Sequence, residues 1–230
     1  KNTVYTVKAG KTLVGTLTTE TVKDGETITF PDTAIRVVHR SDGSGTTNNF
    51  IKPLNAFNSK WTIDDSFTKG IPGGVAPTSF QSLQTSDLVS NLIAETDGSI
   101  GYTEVSFVTD ATRAAKGIAS ANIKNAAGKY VAPTAAAVSS MIADSDIDAK
   151  GFVTFNFKQT TNTTAYPVVA VTYAIAKTAV SSKSIVVSGY LQWILNTYAP
   201  AAAESLGYAP LTGALLTVAK NNAMRVGSGN

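Results

Sequence analysis

The chain has 230 residues, of which 43% are hydrophobic and 15% are charged, and its formal net charge is +3. That length is enough for one large domain or two small lobes with a hydrophobic core. The mild charge, with no cluster of Lys and Arg, argues against a nucleic-acid partner. Because cysteine is absent, disulfides, thiolate metal ligands and a cysteine nucleophile are excluded.

Residues 1–30 are rich in Thr and Val and contain turn-forming residues at Gly10 and Gly25. Their alternating pattern predicts two or three short antiparallel strands. We interpret this β-hairpin segment as an N-terminal extension or a linker.

An apolar run that begins at Ile35 predicts a strand, and residues 40–47 follow it with the sequence RSDGSGTT. Apolar residues then recur at helical spacing, at Phe50, Leu54 and Phe57. Pro53 lies inside this pattern, which predicts a helix that is short or kinked near Asn49. The N–H groups at a helix start have no partner within the helix, so a strand, a Gly-rich turn and a helix start favour anion binding.

The side chains of this loop suit a tetrahedral oxyanion. Arg40 offers a planar fork of donors, which the neighbouring Asp42 can hold in place, and glycines let the main chain approach a ligand closely. We therefore predict ligand contacts at Arg40, Ser44, Gly45 and Thr46, supported by Asp42 and Gly43. From the residues alone, a capped surface loop with an Arg–Asp pair explains the pattern about as well.

The next part of the chain is Gly- and Pro-rich, and we predict a loop over residues 58–82. Ser86 is expected to cap a helix that ends at Gly98. Its buried face is predicted to consist of Leu88, Val89, Leu92 and Ile93. A strand is expected over residues 99–105.

Further elements follow in the second half of the chain. A helix is predicted over residues 134–143, an alternating strand over 151–157 and a continuous apolar strand over 166–175. Ser184 is expected to cap an amphipathic helix with an apolar face at Val187, Tyr190, Leu191 and Ile194. Two helices complete the chain, one beginning near Pro200 and closed by Gly207 and one over residues 212–224, before a frayed tail. Strands alternating with helices predict an α/β fold.

Other kinds of site receive little support. His39 is the only histidine, so a transition-metal site or a catalytic triad is disfavoured, and we expect a packed side chain. No P-loop is present, and neither the acidic pair at Asp64 and Asp65 nor the acidic run over 144–148 has EF-hand spacing. Tyr102 and Tyr166 lie near predicted strand ends and are weaker candidates for lining a cleft. We predict no metal, no cofactor and no enzymatic activity.

Residues 40–47 resemble the signature loop of the phosphate-binding proteins of bacterial ABC transporters, which have the periplasmic-binding-protein type II fold. Three downstream stretches resemble the same family in the same order: GSIGY at 98–102, YPVV at 166–169 and LGYAPL at 206–211. The resemblance covers roughly residues 31–226. It implies an α/β fold with a mixed sheet flanked by helices, a second lobe at 31–165 and a return segment at 166–230 that packs on the first lobe.

The resemblance also implies a function. In that family the matching Arg and the Ser-Gly-Thr groups hold inorganic phosphate, the matching Asp braces the Arg, and the partner is a membrane ABC permease. An extracytoplasmic location follows, in the periplasm, at the cell surface or secreted. The alternative is a structural or adhesive surface domain that reuses this fold with weak or no ligand binding.

The opening half of the family's first lobe has no counterpart that we recognise in residues 1–30. The sequence thus suggests a fragment, a processed product or a divergent module, with the facing half of the site supplied by an N-terminal fragment or a second chain. We accordingly expect the 230-residue chain to bind phosphate weakly or not at all by itself.

Overall fold

The computed structural model describes residues 3–6, 27–30 and 34–229. They form helices and small sheets, in agreement with the predicted α/β class. Strands β1 (Thr3–Thr6) and β2 (Thr27–Phe30) pair antiparallel, as predicted for the N-terminal segment. The turns expected around Gly10 and Gly25 lie outside the described residues.

A parallel three-stranded sheet carries the predicted loop. Its strands are β3 (Arg36–Arg40), β4 (Gln81–Leu83) and β5 (Ser99–Gly101), in the order β4-β3-β5. Parallel strands need long crossover connections, which here contain helices α1 (Gly45–Phe57), α2 (Phe67–Gly70) and α3 (Ser86–Glu95). The carboxyl ends of all three strands therefore meet at one edge of the sheet.

Helix α1 is longer than predicted, since it continues through Pro53 to Phe57. Of the two alternatives, short or kinked, the short helix was wrong: Pro53 is itself buried, together with Ile51 and Thr47, and this packing offsets the missing backbone hydrogen bond. The predicted apolar face is also displaced, because Phe57 is 54% exposed.

The Gly/Pro-rich segment contains a strand that the sequence did not indicate. β4 is held by backbone pairing with β3. Because it is only three residues long, its sequence shows no hydrophobic period. Thr85, rather than Ser86, caps α3, and the strand predicted over 99–105 ends at Gly101. Leu88, predicted to be buried, is 46% exposed.

The middle of the chain consists of short elements. They are α4 (Val105–Val108), α5 (Ala111–Ala114), the antiparallel pair β6 (Ile123–Lys124) and β7 (Tyr130–Val131), α6 (Ala135–Ala143), and the antiparallel pair β8 (Asp146–Ile147) and β9 (Val153–Thr154). The prediction of a helix over 134–143 is confirmed, with Thr134 as its cap. Of the strand predicted over 151–157, only the two residues of β9 form a strand.

The apolar stretch over 166–175 is not a strand, contrary to the prediction. A strand requires a neighbour for its N–H and C=O groups, and no strand of the described part of the chain pairs with this stretch. Its end is open to solvent, with Ile175 99% exposed.

Helix α7 (Ser182–Trp193) is capped by Ser181, whose hydroxyl accepts the N–H of Ser184 in a reciprocal capping box, so the predicted cap is displaced by three residues. Its buried side chains are Ser184 and Ser188, and the latter donates to the carbonyl of Ala223. Half of the predicted apolar face is exposed, Val187 at 39% and Tyr190 at 58%, whereas Leu191 and Ile194 are partly buried.

A π-helical turn (Ile194–Tyr198) leads from α7 into α8 (Ala199–Ala202) and a 3-10 turn (Glu204–Leu206), which Gly207 closes with φ 80°, as predicted. α9 (Gly213–Arg225) confirms the last predicted helix. The tail after it is packed rather than frayed, since Val226 is buried and the N–H of Gly229 donates to the carbonyl of Thr178.

Two groups of buried side chains stabilise these elements. One lies against the parallel sheet and contains Phe67, Ile71 and Tyr102, with Phe50 and Trp61 packed on it. The other contains Met141, Ala165 and Val169, with Phe155, Phe157 and Tyr166 packed on it. No helix among residues 3–6, 27–30 and 34–229 is both long and apolar enough to cross a membrane.

Candidate functional site

Residues from three separate parts of the chain meet at the carboxyl edge of the parallel sheet. Arg40 ends the central strand β3, Ser86 begins α3 just after β4, and Glu104 follows β5. Ligands of open α/β sheets bind at this edge, next to the strand at which the order of the sheet reverses. β3 is that strand, because β4 lies on one side of it and β5 on the other.

Asp42 fixes the guanidinium of Arg40 through two parallel hydrogen bonds. Nε donates to Oδ1 at 2.8 Å and Nη2 donates to Oδ2 at 2.6 Å. These bonds raise the pKa of Arg40 and lower that of the Asp42 carboxyl, so both groups are charged near neutral pH. Nη1 donates to the hydroxyl of Ser86 at 3.2 Å. Three of the five N–H groups of Arg40 are thus used. The other two have no acceptor among the described residues and remain for a ligand.

Ser44 starts helix α1. Its extended backbone and its hydroxyl, which accepts the N–H of Thr46 at 3.1 Å, make it the N-cap. The N–H of Ser44 donates to the carbonyl of Asp65 at 2.9 Å. Two of the N–H groups that the sequence offered to an anion are therefore used inside the protein. The Ser44 hydroxyl proton and the N–H of Gly45 have no acceptor in the part of the chain that the structure describes.

Gly45 leaves the approach to the helix start open. A Cβ at this position would meet no heavy atom within 4 Å. At Gly43 a Cβ would make an ordinary contact, 3.4 Å from Oδ2 of Asp65. The start of α1 is hence open at Gly45, whereas Asp65 lies beside Gly43.

Glu104 places a carboxylate beside the loop. The Thr46 hydroxyl donates to its Oε1 at 2.8 Å and the Thr103 hydroxyl donates to Oε2 at 3.2 Å, and the neighbouring Ser86 side chain also favours the ionised carboxylate. Burial pushes the pKa of Glu104 upward, but these hydrogen bonds outweigh it and the pKa lies below its usual value. Glu104 is thus an ionised acceptor at neutral pH.

Tyr102 supports the loop from below. Its hydroxyl accepts the backbone N–H of Arg40 at 3.3 Å and lies 2.6 Å from the hydroxyl of Thr47, while its ring stacks on Phe50 at 4.4 Å. Burial raises the pKa of the phenol, which therefore stays protonated. The side chain is buried under the site rather than lining a cleft. Tyr166, the second tyrosine proposed for the cleft, packs in the other hydrophobic group.

Thr85 has φ 65°, which among the described residues is the one positive value outside glycine. Such a conformation costs about 1–3 kcal/mol and persists where surrounding contacts hold it. Here the Thr85 hydroxyl caps α3 by accepting the N–H of Leu88. The strained turn therefore leads directly into the start of α3, where the Ser86 hydroxyl accepts from Arg40.

His39 is a packed side chain, as predicted. It is 4% exposed, stacks on Phe67 with ring centroids 4.3 Å apart, and places Nδ1 2.9 Å from the carbonyl oxygen of Arg40. Among the described residues no three His, Asp or Glu side chains are grouped as metal ligands. Asp64 of the acidic pair accepts the N–H of Ser66 at 2.8 Å and serves a turn.

The structure brings the predicted residues 40–46 together with three that the sequence did not assign to the site: Thr85, Ser86 and Glu104. Ser86 was expected as a helix cap, and Glu104 had no assigned role. The signal that could have found both is the rule that parallel strands end at one edge, applied to the residues after β4 and β5.

A family model described as "PBP superfamily domain" matches residues 9–197. The match begins within the N-terminal segment, so it extends further in that direction than the resemblance that we described for residues 31–226. It covers both the parallel sheet and the loop at its edge.

Curated relatives carry the name phosphate-binding protein. The chain is similar to PstS of Xylella fastidiosa strain Temecula1, with 29% identity over 79% of this chain and 48% of the relative. It is also similar to PstS 3 of Mycobacterium tuberculosis strain CDC 1551, with 32% identity over 80% of this chain and 48% of the relative. PstS 2 of M. tuberculosis strain H37Rv shows 37% identity over 64% of this chain and 38% of its own length. The chain thus spans about half the length, or less, of these relatives, and the resemblance to phosphate-binding proteins is confirmed.

Proposed function

Because this chain belongs to the PBP superfamily, we propose that it binds inorganic phosphate at the loop of residues 40–46, as the extracytoplasmic solute-binding component of an ABC importer. The observation that carries the proposal is the position of Arg40. Arg40 ends the central parallel strand, its guanidinium reaches Ser86 at the start of α3, and Asp42 holds it in one orientation.

The donor set matches a tetrahedral oxyanion. Arg40 supplies a full positive charge with two N–H groups to spare, and the start of α1 adds the N–H of Gly45, the hydroxyl of Ser44 and the positive end of the helix dipole. The Arg40 side chain is 13% exposed, so its hydrogen bonds to an anion form in largely dry surroundings, where they are stronger than in water. Thr46 contributes its hydroxyl oxygen.

The relatives support the choice of phosphate among oxyanions, since each is named a phosphate-binding protein. A membrane ABC permease is the partner that follows from this role, and the protein acts by binding and not by catalysis. The same proposal divides the chain into an N-terminal extension or linker (1–30), a second lobe (31–165) and a return segment that packs on the first lobe (166–230).

Calorimetric titration of inorganic phosphate into the 230-residue chain tests the function. We expect saturable binding of one phosphate per chain, with a dissociation constant on the order of 1 mM, because the sequence did not identify the facing half of the site. Micromolar affinity would show that the facing donors lie within these residues. No saturable binding would contradict the proposal and favour a structural or adhesive surface domain.

A further inference from the structure

Ser86 has a side chain that its own helix does not use. It is the first residue of α3 and is 7% exposed. A serine at a helix start often serves as the cap, but here the Thr85 hydroxyl is the cap, since it accepts the N–H of Leu88 at 3.3 Å. The Ser86 hydroxyl instead accepts a hydrogen bond from Nη1 of Arg40 at 3.2 Å, a residue 46 positions earlier in the chain.

The backbone holds Ser86 close to Arg40. β3 and β4 pair in parallel with Arg40 opposite Leu83, and the pairing continues beyond both strands because the N–H of Ser41 donates to the carbonyl of Leu83 at 2.9 Å. Only two residues, of which the strained Thr85 is the second, separate Leu83 from Ser86. The sheet and this short turn thus place a hydroxyl of α3 beside a guanidinium of β3.

Asp42 alone does not tie the guanidinium to a second element of the fold. It lies two positions from Arg40 in the same loop, and its side chain is 37% exposed. Their paired hydrogen bonds therefore fix the guanidinium only relative to its own loop. The hydrogen bond to Ser86 adds an anchor on α3, so the guanidinium is held from two sides.

These contacts also decide which N–H groups of Arg40 are left. Asp42 takes one N–H of Nε and one of Nη2, and Ser86 takes one of Nη1. Among the described residues, this leaves one N–H on each terminal nitrogen without an acceptor. Two such groups suit the paired contact that a guanidinium makes with two oxygens of one anion.

We propose that Ser86 is a positioning residue for anion binding: together with Asp42 it clamps the Arg40 guanidinium, so that the remaining N–H groups of Nη1 and Nη2 meet two oxygens of the same phosphate. Ser86 acts through the arginine and does not itself contact the anion. Its effect on affinity rests on the proposed phosphate function, whereas the clamp exists without a ligand and is tested without one.

Heteronuclear NMR of the Arg40 side chain tests the clamp in the ligand-free chain. In the wild type, Ser86 holds one N–H of Nη1, so rotation about the Cζ–Nη1 bond is slow and the two protons on Nη1 give separate signals. Ser86→Ala removes the acceptor, and these two signals should merge. Ser86→Thr keeps a hydroxyl and should restore them. The signals that are absent in Arg40→Lys are assigned to Arg40.

Titration of inorganic phosphate, followed by NMR, tests the effect on binding. Ser86→Ala should weaken phosphate binding roughly tenfold, because the guanidinium is no longer fixed before the anion arrives. Ser86→Thr should bind as the wild type does. Ser90→Ala is the matched control, since it removes a hydroxyl that is also buried in α3 and donates to the carbonyl of Asp87. It should leave both the affinity and the Nη1 signals unchanged.

The outcomes separate the clamp, its effect on binding and the proposed function. Separate Nη1 signals in Ser86→Ala would overturn the inference and leave the proposed function standing. Merged signals with wild-type phosphate affinity would overturn it too, because the clamp would then have no part in binding. A loss of affinity that Ser86→Thr does not restore would indicate a structural role and count against it.

Urea midpoints identify any variant that has lost its fold. If Ser86→Ala does not fold, Ser86→Cys replaces it, because a thiol fills a similar volume and is a weak acceptor. Failure of the wild-type chain to bind phosphate would overturn the proposed function and the positioning role together, and separate Nη1 signals in that chain would show that the clamp is still formed.

Discussion

The hydroxyl groups of Tyr102 and Thr47 lie 2.6 Å apart beneath the loop, and they join the end of β5 to the first turn of α1. The same tyrosine oxygen accepts the backbone N–H of Arg40 from the end of β3. A single buried phenol therefore fixes the end of β3, which carries Arg40, relative to the first turn of α1. An anion would bind between these two elements.

Tyr102→Phe should lower the free energy of unfolding by about 1–3 kcal/mol, because it leaves the buried Thr47 hydroxyl without its partner and removes the acceptor of the Arg40 N–H. Urea denaturation measures this change. Tyr130→Phe is the control, since Tyr130 is 55% exposed on β7 and should show no change. Equal midpoints for the two variants would show that the phenol does not fix the loop.

Arg40→Ala should reduce phosphate affinity by on the order of 100-fold, because a charge-assisted hydrogen bond to the anion contributes about 1.5–3 kcal/mol. The fold should persist, since the Asp42 side chain left behind is 37% exposed. Arg36→Ala makes the same change of charge at the opposite end of β3. Calorimetry on both variants is the measurement. An Arg40→Ala protein with wild-type affinity would remove Arg40 from the site, and equal losses in the two variants would point to net charge alone.

Gly45→Ala should weaken phosphate binding at least tenfold without destabilising the protein. A methyl group here meets no protein atom within 4 Å, so it projects into open space at the start of α1, where we propose that the anion binds. Gly189→Ala in α7 is a matched control, because its Cβ also meets nothing and Ala is favoured in a helix by about 1 kcal/mol. Thermal unfolding and phosphate titration are measured for both. If Gly45→Ala binds phosphate normally, the anion does not approach the start of α1.

Lowering the pH should reduce the free energy of unfolding, in part through protonation of Glu104. Its pKa is lowered in the folded state, so its stabilisation is complete above the ordinary value of 4.5 and is lost as pH falls through the lowered value. Glu104→Gln should therefore lose less stability than the wild type between neutral pH and acid. Glu204→Gln, which removes the same charge at an exposed position of the 3-10 turn, should behave like the wild type. Urea midpoints measured across this pH range provide the comparison, and parallel curves for all three proteins would exclude the effect.

The local features of the site could be predicted from the sequence because they depend on neighbours in the chain. The strand, the Gly-rich turn, the helix start after it and the Arg40–Asp42 pair all lie within a few residues of one another. Helix α9 and the closing Gly207 were predictable for the same reason, since a periodic pattern and a left-handed glycine are local signals.

Contacts between residues that are far apart in the chain could not be predicted from the sequence. Ser86 and Glu104 reach the loop only because β4 and β5 flank β3 in parallel, and three-residue strands leave no periodic pattern. The apolar stretch over 166–175 has the composition of a strand, but a strand exists only where another backbone accepts its hydrogen bonds. Likewise, α7 buries Ser188 rather than its apolar side chains because α9 offers the carbonyl of Ala223 at that face. The local sequence thus determined the loop of residues 40–46, whereas the parallel pairing of β5 with β3 decided that Glu104 lies beside it.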